Sequence, residues 1–132
     1  VREPSEERLN EVLLQMDIAM LKERHPMTLS GGQKQRVAIG AAVFCGKSIL
    51  IFDEPTSGLD FSHMMQTARL LEQLKDPDVY IFVITHDYEF ILSACDEVIE
   101  IEDGMLKNDY LLDDTGVKNL KEFYLIDMDE TN

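Results

Sequence analysis

Acidic and imidazole side chains follow two short apolar segments of this chain. Asp53 and Glu54 come directly after residues 49–52, and His86 follows residues 79–84 with one threonine between. A carboxylate can bind a hard cation or polarise a water molecule, and an imidazole can donate a hydrogen bond to an anion. Each of these residues taken alone also fits a polar turn at the end of a strand. Their joint occurrence after two similar segments favours a shared site.

The sequence LSGGQ, residues 29–33, is the second candidate for ligand binding. Ser30 is a favourable N-cap residue, and Gly31 and Gly32 allow a close approach to the backbone. The start of a helix offers amide groups and the positive end of a dipole to an anion, and Ser30 adds a hydroxyl. The same residues also fit an ordinary turn with an N-cap, so this motif alone does not establish a binding site.

The triplet Gly46, Lys47 and Ser48 has the letters of a phosphate-binding P-loop but not its spacing. A P-loop has the pattern G-x-x-x-x-G-K-[ST] between a strand that precedes it and a helix that follows it. Here five residues separate Gly40 from Gly46, a helical segment precedes the triplet and a strand-like segment follows it. Backbone amides in that order cannot form a nest aimed at a helix dipole. We therefore expect Lys47 in a solvated turn, and no other stretch of the sequence has the pattern.

Apolar periodicity predicts helices around these candidate residues. Residues 5–16 and 62–75 have apolar side chains at helical spacing, and shorter helices are predicted at residues 88–94 and 117–126. A helix that begins near Gly32 and runs to Phe44 is predicted to pack through Val37, Ala41 and Phe44. The candidate residues Ser30, Gly31 and Gly32 therefore lie at the start of a helix.

The predicted strands indicate an α/β fold. Residues 49–52 and 79–84 are short, uniformly apolar runs, which are typical of parallel strands covered on both faces. Residues 97–107 predict a hairpin of two strands joined by an Asp-Gly turn. Strands that alternate with helices form parallel sheets, and ligands bind at the carboxyl ends of their strands. Asp53, Glu54 and His86 are all predicted at that edge.

Composition excludes several classes of function. The chain has 132 residues, with 12 basic and 26 acidic side chains and a net charge of -14. Such a charge repels nucleic acid and anionic lipid, so we expect no nucleic-acid partner. Cys45 and Cys95 lie far apart in sequence and suggest neither a disulfide framework nor a zinc site. The apolar runs are far shorter than the roughly 20 residues that a membrane helix needs, so no direct membrane span is expected.

Three motifs together resemble the ATP-binding-cassette (ABC) ATPases. LSGGQ (residues 29–33), ILIFDEPTSGLD (residues 49–60) and ITHD (residues 84–87) match that family in order and spacing. They correspond to its signature motif, its Walker B strand with catalytic glutamate and D-loop, and its switch histidine. The resemblance covers residues 21–106. Two segments further resemble the energy-coupling-factor importers, especially the second cassette of tandem proteins. They are FDEPTSGLDFSHM and EDGMLKNDYLLDD.

The resemblance implies that these residues bind and hydrolyse ATP. Asp53 is expected to hold Mg²⁺ through its water shell, Glu54 to orient and polarise the attacking water, and His86 to donate a hydrogen bond to the γ-phosphate. In the family, the signature helix serves the nucleotide held by the opposite cassette, and the D-loop aspartate communicates across the same interface. The nucleotide-binding residues implied in this way are Ser30, Gly31, Gly32, Gln33 and Asp60.

The resemblance also implies a partial P-loop NTPase fold of the ABC type. This fold has a RecA-like parallel sheet with helices on both faces, and here the P-loop strand is absent. Residues 1–45 are expected to hold part of the helical subdomain with the signature helix, residues 46–111 the core from Walker B to the switch histidine, and residues 112–132 a peripheral acidic tail. The chain is thus expected to be the carboxyl-terminal part of one nucleotide-binding domain. Alone it is expected to bind ATP and Mg²⁺ weakly and not to turn ATP over.

The expected function is part of an ATPase subunit that powers membrane import. The implied partners are a second ABC cassette and a transmembrane coupling protein, and the implied location is cytoplasmic, at the inner face of the cell membrane. One alternative is a soluble cassette ATPase of chromosome maintenance or translation. Such proteins tend to carry coiled-coil insertions or basic faces, and the acidity of this chain argues against both. A non-enzymatic half-cassette dimerisation module is the other alternative.

Overall fold

The computed structural model describes residues 5–130, which form two compact units. The first unit extends to His86 and the second begins at Asp87. The elements of the first unit are α1 (Glu6–Gln15), 3₁₀ turns at Ala19–Leu21 and Pro26–Thr28, α2 (Gly31–Phe44), β1 (Ile49–Asp53), α3 (Phe61–Gln73) and β2 (Tyr80–Ile84). Those of the second are α4 (Tyr88–Ala94), β3 (Glu97–Glu102), β4 (Met105–Leu111) and α5 (Asp114–Glu130).

The sheet of the first unit has two parallel strands, β1 and β2. Ile49 is paired with Tyr80, and the register runs without a break to Asp53 paired with Ile84. Helix α3 lies between the two strands in the chain and supplies buried apolar side chains, including Met64, Ala68 and Leu71. The predicted order of strand, helix and parallel strand is therefore confirmed.

One face of this sheet is exposed in the described chain, which corrects the expectation that both faces of each strand are covered. Leu50 is 5% exposed, whereas Ile51 is 65% exposed, and on β2 Tyr80 and Phe82 are exposed as well. Successive side chains of a strand point to opposite faces, so the uniformly apolar sequence supplies an apolar surface on both. The described elements bury only the face that contains Leu50.

Of the three residues predicted to pack helix α2, Phe44 is half-buried, but the buried positions are others. Ile39 and Gly40 are buried, whereas Val37 is 38% exposed and Ala41 is exposed. A Cβ atom at position 40 would lie 3.1 Å from Cγ of Met16, so glycine permits this close approach to the end of α1. Because α2 carries apolar residues on several sides, its periodicity did not identify the packed face.

The second unit contains the predicted hairpin of β3 and β4. Asp103 and Gly104 both have positive φ, 51° and 74°, as a two-residue Asp-Gly turn of the primed type requires. A register shift occurs between Glu100 and Ile101. Glu100 is 7% exposed and accepts a hydrogen bond of 2.7 Å from the Tyr110 hydroxyl. Burial, together with this bond, raises the pKa of Tyr110, so the hydroxyl remains a donor at neutral pH.

Helix α5 is longer than the predicted helix at residues 117–126. It begins at Asp114 because the Asp113 carboxylate accepts hydrogen bonds of 2.9 Å from the amides of Thr115 and Gly116. Leu120 is 1% exposed and belongs to the core of this unit. Tyr124 contacts Tyr88 of α4 edge to face, with 5.3 Å between ring centroids. Sequence periodicity missed the first turn because its helix-starting signal is a side-chain cap.

The hairpin carries an acidic pair whose repulsion predicts a gain in stability on mutation. A hydrogen bond with Asp109, followed by its negative charge, raises the pKa of Glu97 above the ordinary 4.5. A carboxyl group with a raised pKa stabilises the fold at pH values below its ordinary pKa. This stabilisation is lost as the pH rises through the raised pKa. We expect Glu97→Gln to raise the melting temperature at pH 7, and this gain to disappear below pH 4.5.

Thermal unfolding of the purified chain across this pH range measures the effect. The matched control is Glu102→Gln, which removes a carboxylate from the same strand but breaks a 2.8 Å ion pair with Lys107. The control is expected to show no gain at pH 7. A melting temperature of Glu97→Gln that is equal to or below that of the wild type at pH 7 would contradict the prediction.

Candidate functional site

The carboxyl ends of β1 and β2 lie side by side. The parallel register pairs Asp53, the last residue of β1, with Ile84, the last residue of β2. The chain continues from these two ends into Glu54 and towards His86, and the side chain of Asp53 is exposed. The structure therefore brings Asp53, Glu54 and His86 to the same edge of one sheet.

Glu54 has an unusual backbone conformation, which sets the direction of its Cα–Cβ bond. Its φ is 45°, in the left-handed region that non-glycine residues rarely adopt. Its amide donates a 2.8 Å hydrogen bond to the carbonyl of Ile84, and its own carbonyl accepts a bond of 3.1 Å from the Ser57 amide. The first bond ties Glu54 to the end of the neighbouring strand. Such conformations cost about 1–3 kcal/mol and cluster at functional sites.

Glu54 and His86 form a direct side-chain contact. Oε1 of Glu54 lies 2.8 Å from Nδ1 of His86. Because an ionised carboxylate only accepts hydrogen bonds, the imidazole donates from Nδ1 to Glu54. The side chain of Glu54 is 37% exposed and that of His86 is 88% exposed. The imidazole is thus open to a ligand from solvent, and the carboxylate is the more shielded member of the pair.

The start of α2 forms a second group of predicted site residues. The hydroxyl of Ser30 accepts a 3.3 Å hydrogen bond from the Gln33 amide, and Oε1 of Gln33 accepts one of 3.0 Å from the Ser30 amide. This reciprocal pair is a capping box, which stabilises the helix start. Gly31 is exposed, and Gly32 is partly exposed. The expected N-cap is confirmed, and the helix start remains accessible at Gly31.

Asp60 caps the start of α3. Its carboxylate accepts a hydrogen bond of 2.9 Å from the His63 amide, and its other oxygen lies 2.8 Å from Nδ1 of His63. The hydrogen bond from the His63 amide has the larger effect on the pKa of Asp60, and the bond to the His63 side chain the next; both lower it. A carboxylate with a lowered pKa stabilises the fold at pH values above its ordinary pKa. This stabilisation is lost as the pH falls through the lowered pKa. The cap therefore holds throughout the neutral range.

The triplet of Gly46, Lys47 and Ser48 lies between α2 and β1, as expected. Gly46 has a φ of 61°, and Lys47 is exposed. A helix precedes the triplet and a strand follows it, which is the reverse of a P-loop. The predicted order of helix, triplet and strand, on which the sequence argument against a P-loop rests, is confirmed.

Sequence reasoning missed the polar contacts that α2 makes with its surroundings. Arg36 donates from Nη1 to Asp17, at 3.1 Å, and from Nη2 to Gln66, at 2.6 Å. The ring of His63 also lies close to Gly32. These contacts join residues 19 and 30 or more positions apart, so local pattern could not find them. The one available signal is the spacing of His63, three residues after the N-cap Asp60.

Comparison with known proteins gives the family. A family model described as ABC transporter matches residues 2–57, which include LSGGQ, Asp53 and Glu54. A putative ABC transporter ATP-binding protein of Treponema denticola is 50% identical over 98 residues, which are 74% of this chain and 20% of that protein. The solved structure of CbiO1 from Clostridium perfringens, part of the ABC transporter complex CbiONQ, matches with a TM-score of 0.73 and 32% identity, over 90% of this chain and 45% of that chain.

The chain is part of an ABC transporter ATPase domain. The predicted fold class, a partial P-loop NTPase of the ABC type, is confirmed by these matches. An energy-coupling factor transporter ATP-binding protein, EcfA2 of Mycoplasma pneumoniae, is 44% identical over 84 residues, which are 64% of this chain and 28% of that protein. The predicted similarity to energy-coupling-factor proteins is therefore confirmed. The chain spans less than half of each of these relatives.

The described residues could bind a metal ion only together with a bound nucleotide. Among the side chains that the structure describes, no three His, Cys, Asp or Glu are grouped so that they could hold a metal ion. Mg²⁺ in nucleotide sites is commonly held by one or two carboxylates together with substrate phosphates and waters, and the exposed Asp53 fits that donor set.

A search of the described residues for a membrane-spanning helix found none with the necessary length and apolar character.

Proposed function

We propose that this chain is part of an ATPase subunit that couples ATP binding and hydrolysis to membrane import. The chain contributes the residues for hydrolysis, at the carboxyl ends of β1 and β2. The observation that carries the proposal is the 2.8 Å contact between Glu54 and His86 at adjacent strand ends, beside the exposed Asp53. Transfer of a phosphoryl group to water needs charge neutralisation and an aligned nucleophile more than covalent participation of the protein. These three side chains can supply both.

Asp53 is proposed as the carboxylate that binds Mg²⁺ through its water shell. It ends β1 and faces solvent, so a hydrated cation can approach it. Bound Mg²⁺ neutralises charge on the phosphate oxygens. Asp53 thereby orients the metal–nucleotide pair relative to Glu54, the next residue in the chain.

Glu54 is proposed to hold and polarise the attacking water, and His86 to donate a hydrogen bond to the γ-phosphate. The backbone bond to Ile84 fixes the Glu54 backbone at the end of the neighbouring strand, and the Glu54 carboxylate contacts Nδ1 of His86. The contact with Glu54 holds the imidazole of His86 at one nitrogen. With both nitrogens protonated, the ring can donate to Glu54 from Nδ1 and to phosphate from Nε2.

The start of α2 is proposed to bind the nucleotide of a second cassette. Gly31 is exposed there, and the helix start offers amide groups and the dipole to phosphate oxygens. Ser30 and Gln33 keep this helix start in one conformation through the capping box. Asp60 is proposed to communicate across the same interface, because it caps the helix that follows the strand carrying Asp53.

The resemblance to energy-coupling-factor ATPases supports the remaining proposals. The partners would be a second ABC cassette and a transmembrane coupling protein, and the site of action the cytoplasmic face of the cell membrane. The net charge of -14 supports a function without nucleic acid. The 132 residues alone have no P-loop pattern, so we propose that they bind ATP and Mg²⁺ weakly and that turnover belongs to the complete protein.

Replacement of Asp53 by asparagine tests the proposed metal role. In the complete protein, we expect Asp53→Asn to lower ATP turnover by about tenfold or more, since one tenfold step is about 1.4 kcal/mol of transition-state stabilisation. The amide is a weaker ligand for a hard cation, so half-maximal turnover should also require more Mg²⁺. Steady-state ATP hydrolysis measured against Mg²⁺ concentration gives both values.

The matched control is Asp78→Asn, which changes an exposed aspartate near the amino end of β2, away from the proposed site. The control is expected to keep the wild-type rate and Mg²⁺ requirement. If Asp53→Asn shows the same rate and the same Mg²⁺ requirement as this control, the proposed function is wrong.

A further inference from the structure

The ring of His63 lies between two residues of the proposed interface with the second cassette. On one side, Nδ1 lies 2.8 Å from the carboxylate of Asp60. On the other side, Cδ2 of the ring would lie 3.3 Å from a Cβ atom placed on Gly32. The ring therefore fills the space next to the Gly32 backbone while it is tied to Asp60. His63 belongs to α3, whereas Gly32 belongs to α2.

A second contact joins the same two helices one turn further along. Arg36 of α2 donates 2.6 Å to Gln66 of α3 and 3.1 Å to Asp17. The side chain of Arg36 is only 28% exposed. The first two turns of α2 and α3 thus meet at two places, where the His63 ring lies next to Gly32 and where Arg36 bonds to Gln66. With two contacts one turn apart, neither helix can rotate about a single contact without breaking the other.

We propose that His63 is a positioning residue that sets the distance between Asp60 and Gly32. The inference rests on the proposed function, in which the start of α2 and Asp60 both serve a second cassette. An imidazole is planar, and the histidine side chain has only two rotatable bonds. A displacement of Asp60 would therefore also displace the ring that lies next to the α2 backbone. A misplacement of about 1 Å between groups that bind one transition state can cost on the order of a hundredfold in rate.

Substitution of His63 in the complete protein tests the inference. His63→Ala removes both contacts and is expected to lower kcat by about tenfold, with the KM for ATP within about twofold of the wild type. KM should change little because His63 contacts neither Asp53 nor Glu54. His63→Asn keeps a donor near the position of Nδ1 but lacks the ring edge, so its kcat should lie between those of His63→Ala and the wild type.

Ser62→Ala is the control, because Ser62 is an exposed neighbour in the same helical turn. Its kcat is expected to match that of the wild type. A His63→Ala variant with the kcat of this control overturns the inference. If turnover does not depend on Glu54 at all, it is instead the proposed function that fails.

A second readout needs no ATP hydrolysis. Alanine is a better helix former than glycine, but a Cβ at position 32 presses on the His63 ring. Gly32→Ala is therefore expected to raise the melting temperature by at least about 2 °C more in the His63→Ala background than in the wild type. Equal shifts in the two backgrounds would mean that positions 32 and 63 are not coupled, and the inference would fail even with activity lost.

Discussion

Glu54→Gln is expected to lower the ATP turnover of the complete protein by about 100-fold or more, while ATP stays bound. General-base assistance contributes about 10²–10⁴ in rate, and a neutral amide cannot supply it. Glutamine has nearly the same shape as glutamate and can still hydrogen-bond to Nδ1 of His86, so the strand ends should keep their arrangement. The bound nucleotide should therefore accumulate unhydrolysed. Steady-state hydrolysis and the nucleotide content of the purified variant measure the two effects.

Glu72→Gln is the control for the loss of a carboxylate. Glu72 lies on α3, where it pairs with Lys75 at 2.7 Å and its side chain is 58% exposed. We expect this control to hydrolyse ATP at the wild-type rate. If Glu54→Gln hydrolyses ATP at a rate within about threefold of this control, general-base assistance by Glu54 is ruled out.

Ser30→Arg is expected to lower turnover by about tenfold or more in the complete protein. Arginine cannot accept the hydrogen bond from the Gln33 amide, so the capping box opens. Its long side chain also covers the exposed helix start at Gly31, where the nucleotide of the second cassette is proposed to bind. Binding of ATP by the cassette that carries the substitution should be unchanged, because its own phosphate contacts are elsewhere. Turnover and equilibrium ATP binding test the two parts separately.

Ser5→Arg distinguishes loss of a binding group from loss of a helix cap. Ser5 caps α1 as Ser30 caps α2, and its hydroxyl accepts a 3.1 Å bond from the Arg8 amide. Both substitutions should lower the melting temperature, since loss of an N-cap typically costs about 1 kcal/mol. Only Ser30→Arg should lower turnover. Equal turnover in the two variants would show that the start of α2 acts only as a structural cap.

The arrangement of the strand ends could be predicted because it depends on local pattern and one rule of topology. The apolar runs before Asp53 and before Thr85 identify two strands, and parallel strands place their carboxyl ends at one edge. The hairpin turn was equally clear, because Asp103 and Gly104 suit positive φ. The order of helix and strand around Lys47 also sufficed to exclude a P-loop there.

The remaining features depend on contacts between distant parts of the chain. Sequence could not show that Ile51 is exposed while Leu50 is buried, because both faces of the strand are equally apolar. The packed face of α2 follows from the close approach of Met16 to Gly40, which periodicity does not encode. The contact of His63 with Gly32 likewise joins two helices that lie apart in the sequence.

A crystal structure of the complete Glu54→Gln protein with Mg²⁺ and ATP tests the central claim most directly. The claim is that residues at the ends of β1 and β2 bind and hydrolyse the terminal phosphate of the nucleotide. We predict Nε2 of His86 at about 3 Å from a γ-phosphate oxygen. Asp53 should be one water molecule away from the metal, at about 4 Å. A γ-phosphate bound with neither His86 nor Asp53 within about 8 Å would contradict the account, since hydrogen bonds and water-mediated contacts do not reach that far.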